Sequence, residues 1–260
     1  MARLLAATGL CRLFVMNRGT YRLRFHPSAL AVTLWSDPRD RDDDHFFLRA
    51  LLASGNQVID VGANIGDFTL HAASIVGPSG RVYAVEPHPR TFRFLVENIS
   101  LNKACNIVPL NIAAGPVSGT AFVSDKRSDD QNVILRQDDS GRRVKVRVAR
   151  LDELGIAGVV HLIKIDTEGY ERFVLEGAVG LFDRVEAIYF EASEQQFRRF
   201  GYDLAELLAW LKTHSFRVHR IHNRMLKPVS PTGMPVGHTN LVATRPAAED
   251  RLRVTLPLRE

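Results

Sequence analysis

Lys164, Asp166 and Glu168 stand two residues apart at the close of an apolar run that begins at Val159, and Glu191 ends a second such run, Val185 to Phe190. In an extended strand, residues two apart share a face, so Lys164 and Asp166 point the same way while Asp166 and Glu168 lie at the C-terminal edge. Glu191, on the neighbouring strand, is expected beside them. Carboxylates gathered on one edge repel unless a cation stands among them. Such a ledge can draw the proton from a weak nucleophile such as a hydroxyl, with Glu191 or Glu168 as general base and Lys164 as charge partner. A plainer role is open to single acids, since Glu168 and Glu171 also suit the first turn of a helix beginning near Gly169. A divalent ion is another way to balance the acids, but no metal-ligand set is assigned.

A second group of residues surrounds the stretch Gln57 to Leu70. The β-branched run Val58, Ile59, Val61 reads as a buried strand that turns at Gly62 and Gly66 into a helix from about Asp67 to Val76. Ligands of open α/β sheets sit at such a junction, where glycine permits close backbone approach and helix N–H groups supply donors. Asn64 replaces the middle glycine of the dinucleotide fingerprint, and its side chain would crowd a pyrophosphate. Asp60, at the strand end, suits a ligand bearing an ammonium. The next strand, Arg81 to Glu86, ends in an acid 24 positions after Gly62, where a carboxylate faces ribose hydroxyls. Pro87 and Pro89 lead into a helix to Leu101. A strand from Asn106 to Leu110 ends in Asn111 and Ile112, placed to offer an amide and an apolar wall to an adenine.

S-adenosylmethionine, with its amino acid end, sulfonium and adenosine, meets these demands, and Asp60, Gly62, Asn64 and Gly66 resemble the first motif of the class I methyltransferases. Lys164-Ile-Asp-Thr-Glu-Gly-Tyr-Glu171, with Val174-Leu-Glu-Gly-Ala178, Asp60-Val-Gly-Ala-Asn-Ile-Gly66 and Val85-Glu-Pro87, is similar to the FkbM family of S-adenosylmethionine-dependent methyltransferases. The resemblance runs from about Val58 to Glu191. It implies a class I methyltransferase (Rossmann-like) α/β fold: a seven-stranded, mostly parallel sheet with an antiparallel C-terminal hairpin and a β insertion. It implies methyl transfer to a hydroxyl of a sugar, glycolipid or natural product, with Asp60, Gly62, Ala63, Asn64, Gly66, Glu86, Pro87, Asn111, Ile112 and Asp166 around the donor. A nicotinamide-dependent oxidoreductase and a non-catalytic binding protein of the same fold are the competing readings; Asn64 argues against the first, and intact acids at both strand ends against the second.

The remaining sequence is read as support. Residues 1–49 are expected to form a flanking segment with a helix and a short strand or two, and 50–245 the methyltransferase domain. Within 37–45 the alternating charges read as a solvated turn and helix start rather than a metal site. Residues 116–150 break the strand-helix rhythm: Thr120 to Ser124 and Val144 to Val148 alternate like an exposed antiparallel pair. The loop between them offers Lys126, Arg127, Asp130, Gln131 and Asn132 for substrate contact. Phe197 to Thr213 has helical spacing, Ser215 to Ile221 and Asn240 to Thr244 read as strands, and a proline-bearing loop between them is flanked by His222 and His238, a histidine there being a second possible base. Residues 246–260 read as a tail. With 260 residues, two cysteines and a net charge of +5, the chain suits one large α/β domain in a reducing compartment. No run approaches the ~20 apolar residues of a membrane span, no secretory signal stands out, and no basic tract interleaved with aromatics marks nucleic acid. A cytoplasmic enzyme acting on a small-molecule or glycan hydroxyl is therefore expected.

Overall fold

The computed structural model describes residues 2–126, 134–135, 139–222, 224–229 and 238–256. Its first part contains α1 (Ala2–Thr8), β1 (Val15–Asn17), β2 (Arg22–Arg24), α2 (Ala29–Ser36) and α3 (Asp42–Leu51). Strands and helices then alternate as β3 (Gln57–Val61), α4 (Asp67–Val76), β4 (Arg81–Val85), α5 (Pro89–Asn102) and β5 (Ile107–Leu110). Three strands follow, β6 (Ala113–Ala114), β7 (Gly119–Ser124) and β8 (Arg143–Ala149), and form a small sheet ordered β6-β8-β7. The rest comprises β9 (Leu162–Ile165), α6 (Glu171–Glu176), β10 (Ala187–Ala192), α7 (Glu194–Arg199), α8 (Leu204–Thr213), β11 (Arg217–His222), β12 (Met225–Pro228), β13 (Thr239–Thr244) and α9 (Pro246–Thr255).

Among the described residues the main sheet has the order β12-β11-β13-β10-β9-β3-β4-β5. The pairs β3–β9, β9–β10 and β4–β5 are parallel, while β13 runs antiparallel to both β10 and β11. Apart from β12 at its edge, this is the mostly parallel sheet with antiparallel C-terminal strands that the resemblance implies. The inner strands are near-continuous apolar runs because a parallel strand is covered on both faces: every residue of β9 is buried, as are four of the five in β3.

Two compact units are distinguishable by their internal contacts: residues 1–56, 62–113 and 119–148 in the first, and 57–61, 114–118 and 149–260 in the second. In the first, the buried Asn98 ties α5 to two neighbours, donating from Nδ2 to the Ile65 carbonyl at 2.8 Å and accepting the Arg24 amide at 2.8 Å. In the second, α8 starts on a reciprocal cap in which the Asp203 side chain accepts the Glu206 amide and the Glu206 carboxylate accepts the Asp203 amide.

Several expectations are corrected. The main sheet has eight strands rather than seven, because part of the expected proline-bearing loop, Met225–Pro228, pairs antiparallel with β11, Arg224 taking a left-handed φ of 57° at the turn. The stretch from Phe197 to Thr213 is not one helix, since Gly201 at φ 82° interrupts it and Asp203 starts α8 anew. Most of the expected tail is helix: Pro246 opens α9, which buries Ala248 and Leu252. The β7–β8 pair is not exposed throughout, as Val123, Val146 and Val148 cluster with Ala113. Asp44 and His45 are buried in α3 rather than solvated.

Candidate functional site

In the first unit, the glycine turn takes three left-handed residues, Gly62 at φ 78°, Asn64 at 50° and Gly66 at 96°. Asparagine tolerates that region better than most side chains. The Gly62 and Ala63 amides both donate to the Val85 carbonyl at 3.0 Å. At Gly66 the φ of 96° strains any side chain, and a Cβ would also come within 2.7 Å of the Leu95 Cδ1, which would have to move. Glu86, buried just past β4, accepts the Asn64 amide on Oε2 at 3.0 Å and the His88 amide on Oε1 at 2.9 Å. Two fixed donors therefore orient its carboxylate. The Asn111 side chain, expected to offer its amide to a ligand, donates instead to the Glu86 and Pro87 carbonyls at 2.9 and 3.0 Å; Ile112 is buried.

Behind this turn lies a network that pattern reading missed. Asp67, the first residue of α4, accepts the Tyr21 hydroxyl at 2.6 Å and lies 3.3 Å from the Arg18 Nε and 3.4 Å from the His45 Nε2. Burial pushes the Asp67 carboxyl up, but hydrogen bonds from His45 and Tyr21 and the charge of Arg18 more than offset it, leaving it below its ordinary value. His45 stacks on His71, whose pKa burial lowers to about 4. The residues that meet here come from positions 18, 21, 45, 67 and 71, with no motif to announce them.

In the second unit, the β3–β9 register sets Asp60 directly opposite Lys164. The Lys164 Nζ lies 3.2 Å from the Asp60 Oδ1 and 3.6 Å from the Asp166 Oδ2. Asp60 is fully buried, so the ammonium expected opposite it is here the protein's own. Asp166, Glu168 and Glu191 each present a carboxylate oxygen, all within 4.8 Å of one another. This is the ledge expected from the spacing of the two strands.

Each acid of the ledge is held differently. Glu168 has a left-handed φ of 57°, and its Oε2 accepts the Gln196 side-chain amide. Gly169, at φ 103°, carries the turn onward, where a Cβ would meet the Gln196 carbonyl oxygen at 2.7 Å. Glu191 is raised above the ordinary glutamate range, first by burial and then by the nearby Asp166 charge, against the opposing pull of His238 and Lys164. The His238 Nδ1 lies 3.1 Å from the Glu191 Oε1. Sequence reading marked His238 as a loop histidine without linking it to Glu191.

Glu171 belongs to the scaffold. Its Oε1 accepts the Thr167 amide and hydroxyl and the Gly169 amide at 2.9, 3.1 and 3.3 Å, which closes the turn carrying Glu168. Complete burial raises its pKa to about 7. Because the folded value exceeds the unfolded one, the native state binds the extra proton, and stability rises as pH falls from about 7 toward the unfolded carboxyl value. Glu171→Gln is therefore expected to raise the melting temperature above pH 8 and to lose that advantage by pH 5. Melting curves across that range check it; a constant difference between the two proteins would refute the assignment.

Within the first unit, hydrogen bonds join Asn64, Glu86, Pro87 and Asn111 of the expected set, with Gly62, Ala63 and Gly66 in the turn beside them. Within the second, Asp60, Lys164, Asp166, Glu168 and Glu191 converge. Of the loop expected to touch substrate, the Lys126 carbonyl accepts from Arg90 at 2.9 Å, while Arg127, Asp130, Gln131 and Asn132 lie outside the described residues. His222 lies on β11, opposite Met225.

Residues 60–218 match the family profile of the methyltransferase FkbM domain. The hexuronic acid methyltransferase AglP of Haloferax volcanii is 28% identical over 159 residues, covering 59% of this chain and 64% of that protein. The 31-O-demethyl-FK506 methyltransferase FkbM of Streptomyces tacrolimicus is 27% identical over 201 residues, 64% of this chain and 75% of its own. A shorter match, 40% identical over 62 residues and 24% of each chain, is to the tRNA(Phe) (4-demethylwyosine(37)-C(7)) aminocarboxypropyltransferase of Methanocaldococcus jannaschii. The chain thus spans a quarter of the tRNA-modifying protein and just under two thirds of AglP.

Proposed function

Since this chain belongs to the FkbM family of methyltransferases, we propose that it transfers a methyl group from S-adenosylmethionine to a hydroxyl oxygen of a sugar, glycolipid or natural-product acceptor. The observation that carries the reading is the convergence of Asp166, Glu168 and Glu191 on one edge, with Glu191 pushed toward a higher proton affinity by burial and by Asp166. The names of two relatives, a hexuronic acid methyltransferase and a 31-O-demethyl-FK506 methyltransferase, support the acceptor class.

The residues present fit the donor. The Glu86 carboxylate, fixed by two backbone amides, is suited to accept hydrogen bonds from a ribose diol, and the left-handed turn from Gly62 to Gly66 presents backbone where a bulky side chain would intrude. Ala63, Pro87 and Ile112 are assigned to its adenosine half, with Asn111 bracing the Glu86 and Pro87 carbonyls beside it, and Asp60, through Lys164, and Asp166 to the amino acid and sulfonium end. S-adenosylmethionine, when bound, supplies a methyl group on a positively charged sulfur, open to in-line displacement. Glu191 takes the hydroxyl proton of the acceptor as its oxygen gains the methyl carbon. Asp166 keeps that proton affinity high, and His238 stabilises the glutamate. Glu168, its carboxylate engaged by the Gln196 side-chain amide, is assigned to positioning the acceptor.

Incubation with methyl-labelled S-adenosylmethionine and fractionated small molecules, glycans and RNA tests the reading. Label in a hydroxyl-bearing small molecule or glycan supports it; label in RNA alone, or no transfer to any fraction, overturns it. Glu86→Gln is expected to weaken donor binding about tenfold by calorimetry, the scale of one hydrogen bond to a charged group, with no measurable NAD binding in either protein. Unchanged donor affinity would remove Glu86 from the site.

A further inference from the structure

The first 36 residues hold five arginines and no acid. The whole chain has 34 basic and 29 acidic residues, so beyond position 36 the balance is 29 against 29. All of the net positive charge therefore sits in this short segment. Arg18 is buried against Asp67, but Arg12 and Arg22 are exposed and Arg24 is partly so.

The same segment exposes apolar side chains. Leu13 is 78% exposed, Leu4 64% and Leu10 53%, with Phe14 and Val15 both above 40%. The other large apolar residues left exposed among the described residues are dispersed between positions 96 and 254. Here α1 packs on the short helical turn Leu10–Leu13, while Phe14 and the half-buried Trp35 meet edge to face at 5.6 Å. Trp35 in turn stacks on the buried Phe25 at 4.8 Å, which anchors the cluster to the first unit.

We infer that residues 4–24 form a docking surface for an anionic lipid bilayer. Leucines and a phenylalanine flanked by arginines, here backed by Trp35, are the composition of segments that lie in the headgroup region, where the apolar side chains enter the acyl boundary and the guanidinium groups meet lipid phosphates. A second copy of the chain would bring the same unbalanced positive charge against this face. A nucleic acid backbone would leave Leu4, Leu10 and Leu13 without a partner. The surface is independent of which hydroxyl is methylated, and it needs no membrane span; no helix among the described residues is long and apolar enough for one.

Co-sedimentation of the full chain with phosphatidylglycerol/phosphatidylcholine vesicles, against phosphatidylcholine alone, tests the inference. Binding is expected only to the anionic vesicles and should weaken steeply with added salt. Leu10→Ser with Leu13→Ser should lower the partition coefficient about tenfold or more with melting temperature unchanged, and Arg12→Glu with Arg22→Glu should abolish binding with a small drop in melting temperature, since Arg12 lies over the Phe94 ring and Arg22 donates to the Leu101 carbonyl, donor affinity being unchanged in both. Failure to bind anionic vesicles, or binding that survives the leucine changes, would overturn it. So would a self-association or an RNA affinity that the leucine changes remove in a protein that ignores vesicles.

Discussion

Glu191→Gln should cut methyl transfer by about 10²- to 10⁴-fold while leaving donor affinity and melting behaviour near those of the parent, the range that a single positioned general base contributes. Glutamine keeps the size of the side chain and can still hydrogen-bond to His238, so the variant removes proton affinity with little change of shape. The sign of the pH dependence is fixed by the same geometry. A base must be unprotonated to act, so kcat/KM should fall as pH drops through the raised value of Glu191, and the variant should lack that acid limb. His238 pulls the Glu191 value down. His238→Asn should therefore move the limb to higher pH. Glu168→Gln, by contrast, should act mainly on the KM for the acceptor. If Glu191→Gln kept full rate with the acceptor, another group would have to be the base.

The second large effect is on stability. Lys164→Met should destabilise the protein by about 3–5 kcal/mol, because the fully buried Asp60 would lose the ammonium that lies 3.2 Å from its Oδ1 while staying out of water. The cost arises mainly from keeping a carboxylate buried without that charge beside it. Asp60→Asn in the same chain should recover most of it, since two neutral groups in that place incur little desolvation penalty. Denaturant titrations of the two single variants and the double variant measure the coupling. Additive losses in the double variant would mean that the 3.2 Å pair does not carry the stability assigned to it.

The acidic ledge was legible in the sequence because strand periodicity is local. Lys164 and Asp166 lie two apart, and any parallel neighbour ending at Glu191 must bring that acid to the same edge. The glycine turn and Glu86 were legible for a similar reason: a strand, a turn and a helix start are written within a few residues of one another. What stayed hidden depends on register and long-range packing. Asp60 meets Lys164 only because β3 and β9 pair with that particular offset. His238 reaches Glu191 across 47 positions, and nothing in a loop's composition announces where its last residue will land. The Asn111 side chain was expected to face a ligand, but its two donors are used by the backbone carbonyls of Glu86 and Pro87, which a pattern of residue types does not reveal. α9 was missed because its apolar positions are few and its first turn carries charge.

The place of β13, between β10 and β11, bears on how the chain is made. Of these three neighbours it is the last to leave the ribosome, so β10 waits with its outer row of amides and carbonyls open while β11 and β12 have already emerged. An open strand edge recruits other chains. Synthesis stalled ahead of Thr239 should leave a species that is both inactive and prone to aggregate, and cells making this protein would depend on chaperones most during that interval.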